Sequence, residues 1–436
     1  MRRGWLAVAA ASMVVLTACS SGGGGGTSAA PSVNADPTKV TGSITVLTNR
    51  TDQLGDGTLD KYAAEFNKVY PNVKVKFEGM KDYEGEVKIR MNTENYGDVL
   101  PIPSDLSIDR LPSFFSSLGG SEELSKTYQW TDYATVDSKV YGIANFGTVT
   151  GFVYNKKVWA DAGVSAWPKT PQEFLDDLKA IKAKGAATPY YTNYHDGWPL
   201  RQWTDAIGSP SCDEGAKDKL AATAQPWAAG GDLNTIDSLV YAIVDQKLSE
   251  DDPTTTNWDQ SKVMLGTGKV GAMYLGSWSV SQMRDAATKA GADPEDIGYM
   301  PFPSTSGKLC SVLQPDYKYG INKHSKNQEA ARAWLDWYIA KSGAAQAEQG
   351  ISSVKGTELP STLKAFTDNG VQLIGQKQEK SATVKKIDKG AEINLDAPDY
   401  RQKLVDIARG AASGDRDGYF AELDKKWSES QKTVNG

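Results

Sequence analysis

Histidine is almost missing from this chain: of its 436 residues only His195 and His324 are imidazoles. A histidine-rich zinc cluster or a Ser-His-Asp relay has little to be built from. Charge of one sign is missing too. The 48 basic and 54 acidic residues leave a formal net charge of -6 without long runs of either sign. That argues against nucleic acid or anionic lipid as the main partner. Beyond the first residues no apolar run approaches the roughly 20 residues that a spanning helix needs. Cysteine is scarce, with Cys19, Cys212 and Cys310 as the whole supply.

What is present begins at the front. Arg2 and Arg3 precede an apolar stretch over residues 6–16, which is followed by Leu16-Thr17-Ala18-Cys19. A basic start, a short apolar core and small residues before a cut read as a secretory signal over residues 1–18. The tetrapeptide ending in Cys19 resembles the lipobox of bacterial lipoproteins, so Cys19 is the expected lipidation site. Residues 19–41, with five consecutive glycines from Gly22 to Gly26, read as a flexible tether. These features predict a body held at the outer face of a cell membrane by its lipid alone. In an exported chain the two remaining thiols, Cys212 and Cys310, more often pair than stay free, which predicts a disulfide.

Roughly 400 residues follow the tether, more than one core usually supports, and two lobes are expected. Residues 43–48 (SITVLT) form a β-branched run that ends in polar Asn49 and Arg50. Tyr62, Phe66 and Val69 then fall at helical spacing before Pro71. Residues 73–77 alternate as a strand, and 98–101 read as another that runs into a loop with Ser104 and Asp105. Strand and helix in alternation predict parallel sheets flanked by helices, an α/β fold. Ligands of such sheets lie outside the carboxyl ends of the strands, where Asn49, Arg50 and Asp105 fall. Further on, 148–154 and 271–275 read as strands, 170–184 as a helix begun by Thr170-Pro171, and 327–339 and 401–432 as long amphipathic helices.

Three sequences imitate catalytic or metal sites. Gly266-Thr267-Gly268-Lys269 lacks the first glycine and the final hydroxyl of a phosphate loop. Ser352-Ser353-Val354-Lys355 matches Ser-x-x-Lys but has no Lys-Thr-Gly or Ser-Asp-Asn partner, and reads as a loop near a hinge. Residues 413–418 suggest a calcium loop, yet Ser413 and Asp424 occupy positions that need Asp and Glu, so a turn capping the last helix is expected. No metal and no cofactor are expected.

Tyr141-Gly142-Ile143, Gly151-Phe152-Val153-Tyr154-Asn155-Lys156, Ala162-Gly163-Val164 and Thr170-Pro171-Gln172-Glu173-Phe174 form an ordered series. Lys269-Val270-Gly271-Ala272-Met273, Gly276-Ser277-Trp278, and Ile321-Asn322-Lys323 before Ser325 to Ala331 continue it. The series resembles the extracellular solute-binding proteins of sugar-importing ABC transporters, from Ser43 to the C-terminus. One departure is Ala144-Asn145, where the family often has proline.

The resemblance implies a two-lobed, periplasmic-binding-protein-like α/β fold that closes on a sugar and presents it to a permease with a separate ATPase. The lobes would comprise residues 42–150 with 316–355, and 151–315 with 356–436. Chain crossings would lie near 149–151, 312–316 and 353–360, in a monomer that catalyses nothing. Sugars offer apolar faces to rings and an equator of hydroxyls to polar groups. Trp278, after a strand end and at the family's stacking position, is the leading contact, with a core tryptophan as the other reading. Tyr194, Asp196 and Trp198 lie on a Gly- and Pro-bounded loop, though Trp198 also suits a helix start. Phe146 and Thr148 precede the hinge strand, and Asp316 and Tyr317 stand at the second crossing. Two alternatives remain: a secreted glycoside-active enzyme, or a binding protein for a peptide or polyamine.

Overall fold

The alternation of residues 43–48 becomes a strand, Gly42–Thr48, that buries Ile44, Val46 and Leu47. It pairs in parallel with Val73–Gly79, from Gly42 opposite Val73 to Thr48 opposite Gly79, and with Val99–Pro101 on its other side. Helix Thr58–Val69 lies between the first two and ends directly before Tyr70-Pro71. Its Phe66 is fully buried against Trp334 and Trp337, at 5.1 and 5.5 Å between ring centroids, so helix Gln328–Lys341 covers the same sheet. Strands Lys318–Ile321 and Ile143–Ala144 complete this first sheet, and Lys318–Ile321 runs against both its neighbours. The structure, a computed structural model, describes residues 30–305 and 307–435. Arg2, Arg3 and Cys19, and with them the signal and lipidation readings, lie outside the described residues.

The second sheet is organised around one long strand, Phe146–Asn155, buried along nearly all its length. Val270–Gly276, Ile297–Met300, Cys310–Pro315 and Ile351–Ser352 all pair with it in antiparallel fashion. Parallel pairs occur only further out, with Thr188–Tyr190 on Val270–Gly276 and Gln372–Gly375 on Cys310–Pro315. The expected two α/β lobes are therefore there, the first sheet mainly parallel at its start and the second mixed. The mixture follows from the connectivity. The strand that enters the second lobe must be flanked by segments returning toward the first.

The chain passes between the sheets at Asn145, and again at Asp316-Tyr317. Asn145 N donates to Tyr317 O at 3.0 Å and Asp316 N to Phe146 O at 3.0 Å, so the two crossings are bonded to each other. The first crossing thus comes before residues 149–151, which sit inside the second sheet. A third passage follows Ile351–Ser352. Here Ser353 is fully buried, its hydroxyl donates to Ala144 O at 2.6 Å, and Gln129 N donates to its carbonyl at 2.8 Å. Trp130 closes over the same hinge. A Cβ at Gly147 would stand 2.2 Å from the Trp130 ring, which leaves room there only for glycine.

Cys212 and Cys310 form a disulfide with 5.4 Å between their Cα atoms, stapling the second lobe at the start of the strand that returns to the hinge. Residues 401–432, expected as one helix, are two: Asp399–Ala408 and Arg416–Asn435. Gly410 and Gly414 take φ of 76° and 113° between them, a left-handed conformation that breaks a helix. Asp415 accepts from Gly418 N at 2.8 Å, so the calcium-like sequence is the expected turn at the helix start. Within the second core, Arg401 and Asp237 are both fully buried and paired at 2.8 Å.

Candidate functional site

One wall of the interlobe cleft belongs to the second lobe. Strand Val270–Gly276 delivers Ser277 and Trp278 to its carboxyl end, and helix Ser279–Lys289 follows. A Cβ at Gly276 would lie 2.4 Å from Trp278 Nε1 and 2.7 Å from Thr148 Oγ1, so glycine lets the indole lie against the hinge strand. The Ser277 hydroxyl sits 3.2 Å from Thr148 Oγ1 and accepts from Val149 N at 3.2 Å, which roots the tryptophan in the hinge. Trp198 and Trp258 each open a helix and complete a cluster of three half-buried rings. Ring centroids are 4.8 Å apart for Trp198 and Trp258, 5.9 Å for Trp198 and Trp278, and 6.0 Å for Trp258 and Trp278. These separations are ordinary for interacting aromatics.

The loops carrying the rings are fastened together. His195 N donates to Thr256 Oγ1 at 2.8 Å, and the Asp196 carboxyl, raised by burial, faces the backbone of Trp258. Glu250 holds the loop from behind, accepting from Thr192 N at 2.9 Å and from the Thr192 hydroxyl. Burial pushes Glu250 up to about 7.

The facing wall is ionic. Arg50 grips Asp52 with two bonds of 2.9 and 2.8 Å and reaches Glu348 with a third nitrogen. Gln53 also donates to Glu348, which is 5% exposed and raised by burial. At the crossing, Asp316 accepts from Tyr317 N at 2.8 Å and has no ion pair among the described residues. Burial pushes Asp316 up to about 6, with Glu348 and Asp205 adding negative charge nearby. Tyr317 donates its hydroxyl to Glu84 at 2.9 Å. Lys318 is lowered to about 8 by burial and by Lys385 and Arg201 from the other lobe. Arg201 is held by Asp205 at 3.2 Å and Asp396 at 3.4 Å. Asp396, though buried, is drawn down to about 2 by Lys217, Arg201 and Lys385.

The residues singled out in the sequence divide. Thr148, Trp198 and Trp278 converge on the aromatic wall, and Arg50, Asp316 and Tyr317 on the ionic one. Asn49 is half-buried at the strand end, its carbonyl accepting from Thr51 N at 3.0 Å. Asp105 is exposed at the rim and paired with Lys88 at 2.8 Å. Tyr194 turns away: its hydroxyl donates to Asp406 at 3.0 Å, and Arg409 lies 5.8 Å over its ring. Phe146 is 5% exposed, and a Cβ at Gly350 would come within 2.6 Å of its ring, so it packs the hinge. Trp258, Gln53, Glu84, Arg201, Lys318 and Glu348 were not foreseen. Trp258 had a readable signal, an indole just after the helix-capping Asn257, which accepts from Gln260 N. Among the described residues no group of three His, Cys, Asp or Glu side chains is gathered to hold a metal, and no helix is long and apolar enough to cross a membrane.

The chain also resembles known proteins in sequence and fold. The profile of the family described as bacterial extracellular solute-binding protein matches residues 52–345. Over 347 residues the chain is 26% identical to a multiple sugar-binding protein of Streptococcus mutans, covering 74% of this chain and 79% of that one. It is 28% identical over 283 residues to a diacetylchitobiose-binding protein of Streptomyces coelicolor, 60% of this chain and 61% of that one. A manno-oligosaccharide-specific solute-binding protein of Bifidobacterium animalis subsp. lactis, solved with mannotriose, superposes with a TM-score of 0.86. Its identity is 30%, over 92% of this chain and 96% of that chain.

Proposed function

The chain belongs to the bacterial extracellular solute-binding proteins, and from that premise we propose that it captures a short oligosaccharide between its lobes for an ABC importer. The observation that carries the reading is the pairing of walls. Three partly open tryptophans, within 6.0 Å of one another, stand on one side of a cleft whose other side is buried charge. Rings suit the C–H faces of a sugar, and carboxylates and guanidinium suit its hydroxyls. A linear polyamine would gain from Asp316, Glu348 and Glu84 but leave Arg201, Lys318 and Lys385 facing its ammonium groups. The relatives that bind manno-oligosaccharide, diacetylchitobiose and multiple sugars support the class and put mannotriose first to test.

On this reading Trp198, Trp258 and Trp278 stack on the ligand, while Arg50, Thr148, Asp316 and Tyr317 bond its hydroxyls. The binding body is a monomer tethered outside the cell by a lipid on Cys19. A separate permease and ATPase move the cargo. The lobe limits belong to the same proposal, with the first boundary moved from 150 to Asn145, ahead of strand Phe146–Asn155.

The test is a thermal-shift and calorimetric screen of the mature body against mannotriose, diacetylchitobiose, raffinose, a tetrapeptide and spermidine. A ligand at about 100 times its Kd stabilises by about 2.7 kcal/mol, a shift such a screen resolves. At least one oligosaccharide is expected to bind and to be recovered intact. Stabilisation by the peptide or spermidine alone would overturn the sugar assignment. Release of new reducing ends would make the protein an enzyme.

A further inference from the structure

Among the described residues the lobes meet where Tyr133 donates to Gln376 O and Lys385 to Ser104 O, and one further meeting joins the two walls directly. Ser281 Oγ, on helix Ser279–Lys289 of the second lobe, stands 3.4 Å from Glu348 Oε2 of the first. The other oxygen of Glu348 takes Arg50 and Gln53, both first-lobe donors. Ser281 lies three residues beyond Trp278, and its hydroxyl is also 3.0 Å from Trp278 O. A serine hydroxyl carries one proton, so it serves either its own helix or the carboxylate across the cleft. Opposite charges also act between the lobes. Asp52 and Asp56 of the first lobe feel Lys262 and Lys289 of the second. Lys262 is itself fixed by Asp259 at 2.9 Å and lies 5.3 Å over the Trp258 ring.

We propose that Glu348 is the closure latch of the cleft, a positioning residue that couples the ionic wall to the tryptophan wall through Ser281. Asp52 with Lys262, and Asp56 with Lys289, supply the longer-range attraction that brings the walls to contact. When the lobes part, Glu348 Oε2 is left to water. When they close it is desolvated, and without a donor from the second lobe that step is costly. Closure is therefore favoured only when helix Ser279–Lys289, and with it Trp278, sits in register with Arg50.

The proposal takes the cleft of the preceding subsection as the binding site, but its test needs no sugar. Spin labels at Asp60→Cys and Thr288→Cys, both exposed and on opposite lobes, report the interlobe distance in the ligand-free protein. In the otherwise native protein a short-distance population is expected. Glu348→Gln and Ser281→Ala should each move that population to longer distance, and the double variant should go no further than the worse single one. Ser281→Ala trims a half-buried helix residue and keeps the fold, which its melting temperature will verify. Unchanged distances in both variants would overturn the latch. So would a shift in Glu348→Gln alone, which would mean that Glu348 serves only Arg50. With a bound sugar, koff should rise about tenfold in each single variant, the worth of one bond to a charged group. If no sugar binds, the functional reading fails while the distance measurement still decides the latch.

Discussion

The second lobe brings three rings to the cleft beside the Arg201 and Asp396 pair, the first brings only polar and charged groups, and the two sets hold their shape by different means. Trp198, Trp258 and Trp278 pack on one another at 4.8 to 6.0 Å, and their loops are tied by His195 to Thr256 and by Glu250 to Thr192. Nothing in those ring contacts depends on ionisation. Arg50, Asp52, Glu348 and Asp316 instead owe their placement to one another, and a buried charge that loses its partner is expensive. On the proposed reading the rigid wall reads the ligand's faces. The responsive wall reads hydroxyls and senses closure.

That contrast is broken most severely by loosening the lobe that holds the rings. Among the described residues the second lobe alone carries a disulfide, Cys212–Cys310, closing a loop of 98 residues. Replacing both cysteines with serine should lower unfolding stability by up to ~4.7 kcal/mol, the chain-entropy value for a loop near that length. Denaturant titration of the oxidised protein and the double variant measures it. Unchanged stability would show that the aromatic wall needs no covalent support.

Trp278→Ala comes next, with a loss of affinity of about 2–4 kcal/mol, the range of a central aromatic contact. Its melting temperature should fall less than for a core tryptophan, whose truncation costs about 3–5 kcal/mol of stability. Calorimetry and thermal melting of the same variant separate the two. A large drop in melting temperature with intact affinity in the folded fraction would make the ring packing rather than contact.

Arg50→Met sharpens the comparison from the other side. It leaves Glu348, 5% exposed, with Gln53 as its only remaining first-lobe donor among the described residues. A stability loss of about 1–3 kcal/mol is expected at neutral pH, the penalty for an underbonded buried group. Because burial already raises Glu348, the loss should shrink on acidification as the carboxyl protonates. A loss independent of pH would show that Arg50 acts by packing.

Much of this was legible in the sequence, and what was not has a physical cause. The alternation of 43–48, the spacing of Tyr62, Phe66 and Val69, and Trp278 after Gly276-Ser277 each report a local requirement that one segment meets by itself. The first crossing was misplaced because Asn145, not proline, stands there. The apolar run beginning at Phe146 also gives no sign of where one sheet ends and the next begins. Gly410 and Gly414 sit within an amphipathic pattern that continues on both sides, so two helices read as one. Tyr194 and Phe146 were drawn toward the site by neighbours in sequence, whereas their side chains answer to Asp406 and Gly350. Glu84, Arg201, Lys318 and Glu348 look like solvated charges in the sequence. Their partners, among them Tyr317, Asp396 and Arg50, lie far from them along the chain.

The smallest expected effect concerns pH, and it tests whether the aromatic wall is as indifferent to ionisation as its rings suggest. Glu250, which holds the Thr192 loop behind those rings, is pushed up to about 7 by burial. Asp316 in the ionic wall and Asp177 are raised to about 6, and Asp388 to about 7, by the same cause. A carboxyl whose folded pKa exceeds its unfolded value binds more protons when folded. Its contribution to stability is full below the unfolded pKa and is lost as pH rises through the folded one. Stability should therefore decline from about pH 4 to pH 7, with each group adding at most about 1.4 kcal/mol per pH unit. Asp396, drawn down to about 2, has the opposite sign, but its window lies below that range. Glu250→Gln removes one of the four groups and should flatten the profile of melting temperature against pH near its upper end. Asp316→Asn should flatten it about one unit lower. If Glu250→Gln leaves the profile unchanged, the loop behind the tryptophans is held without regard to charge, and the contrast between the walls becomes complete. If it flattens the profile and also alters ligand affinity above pH 7, the aromatic wall carries a titrating support of its own.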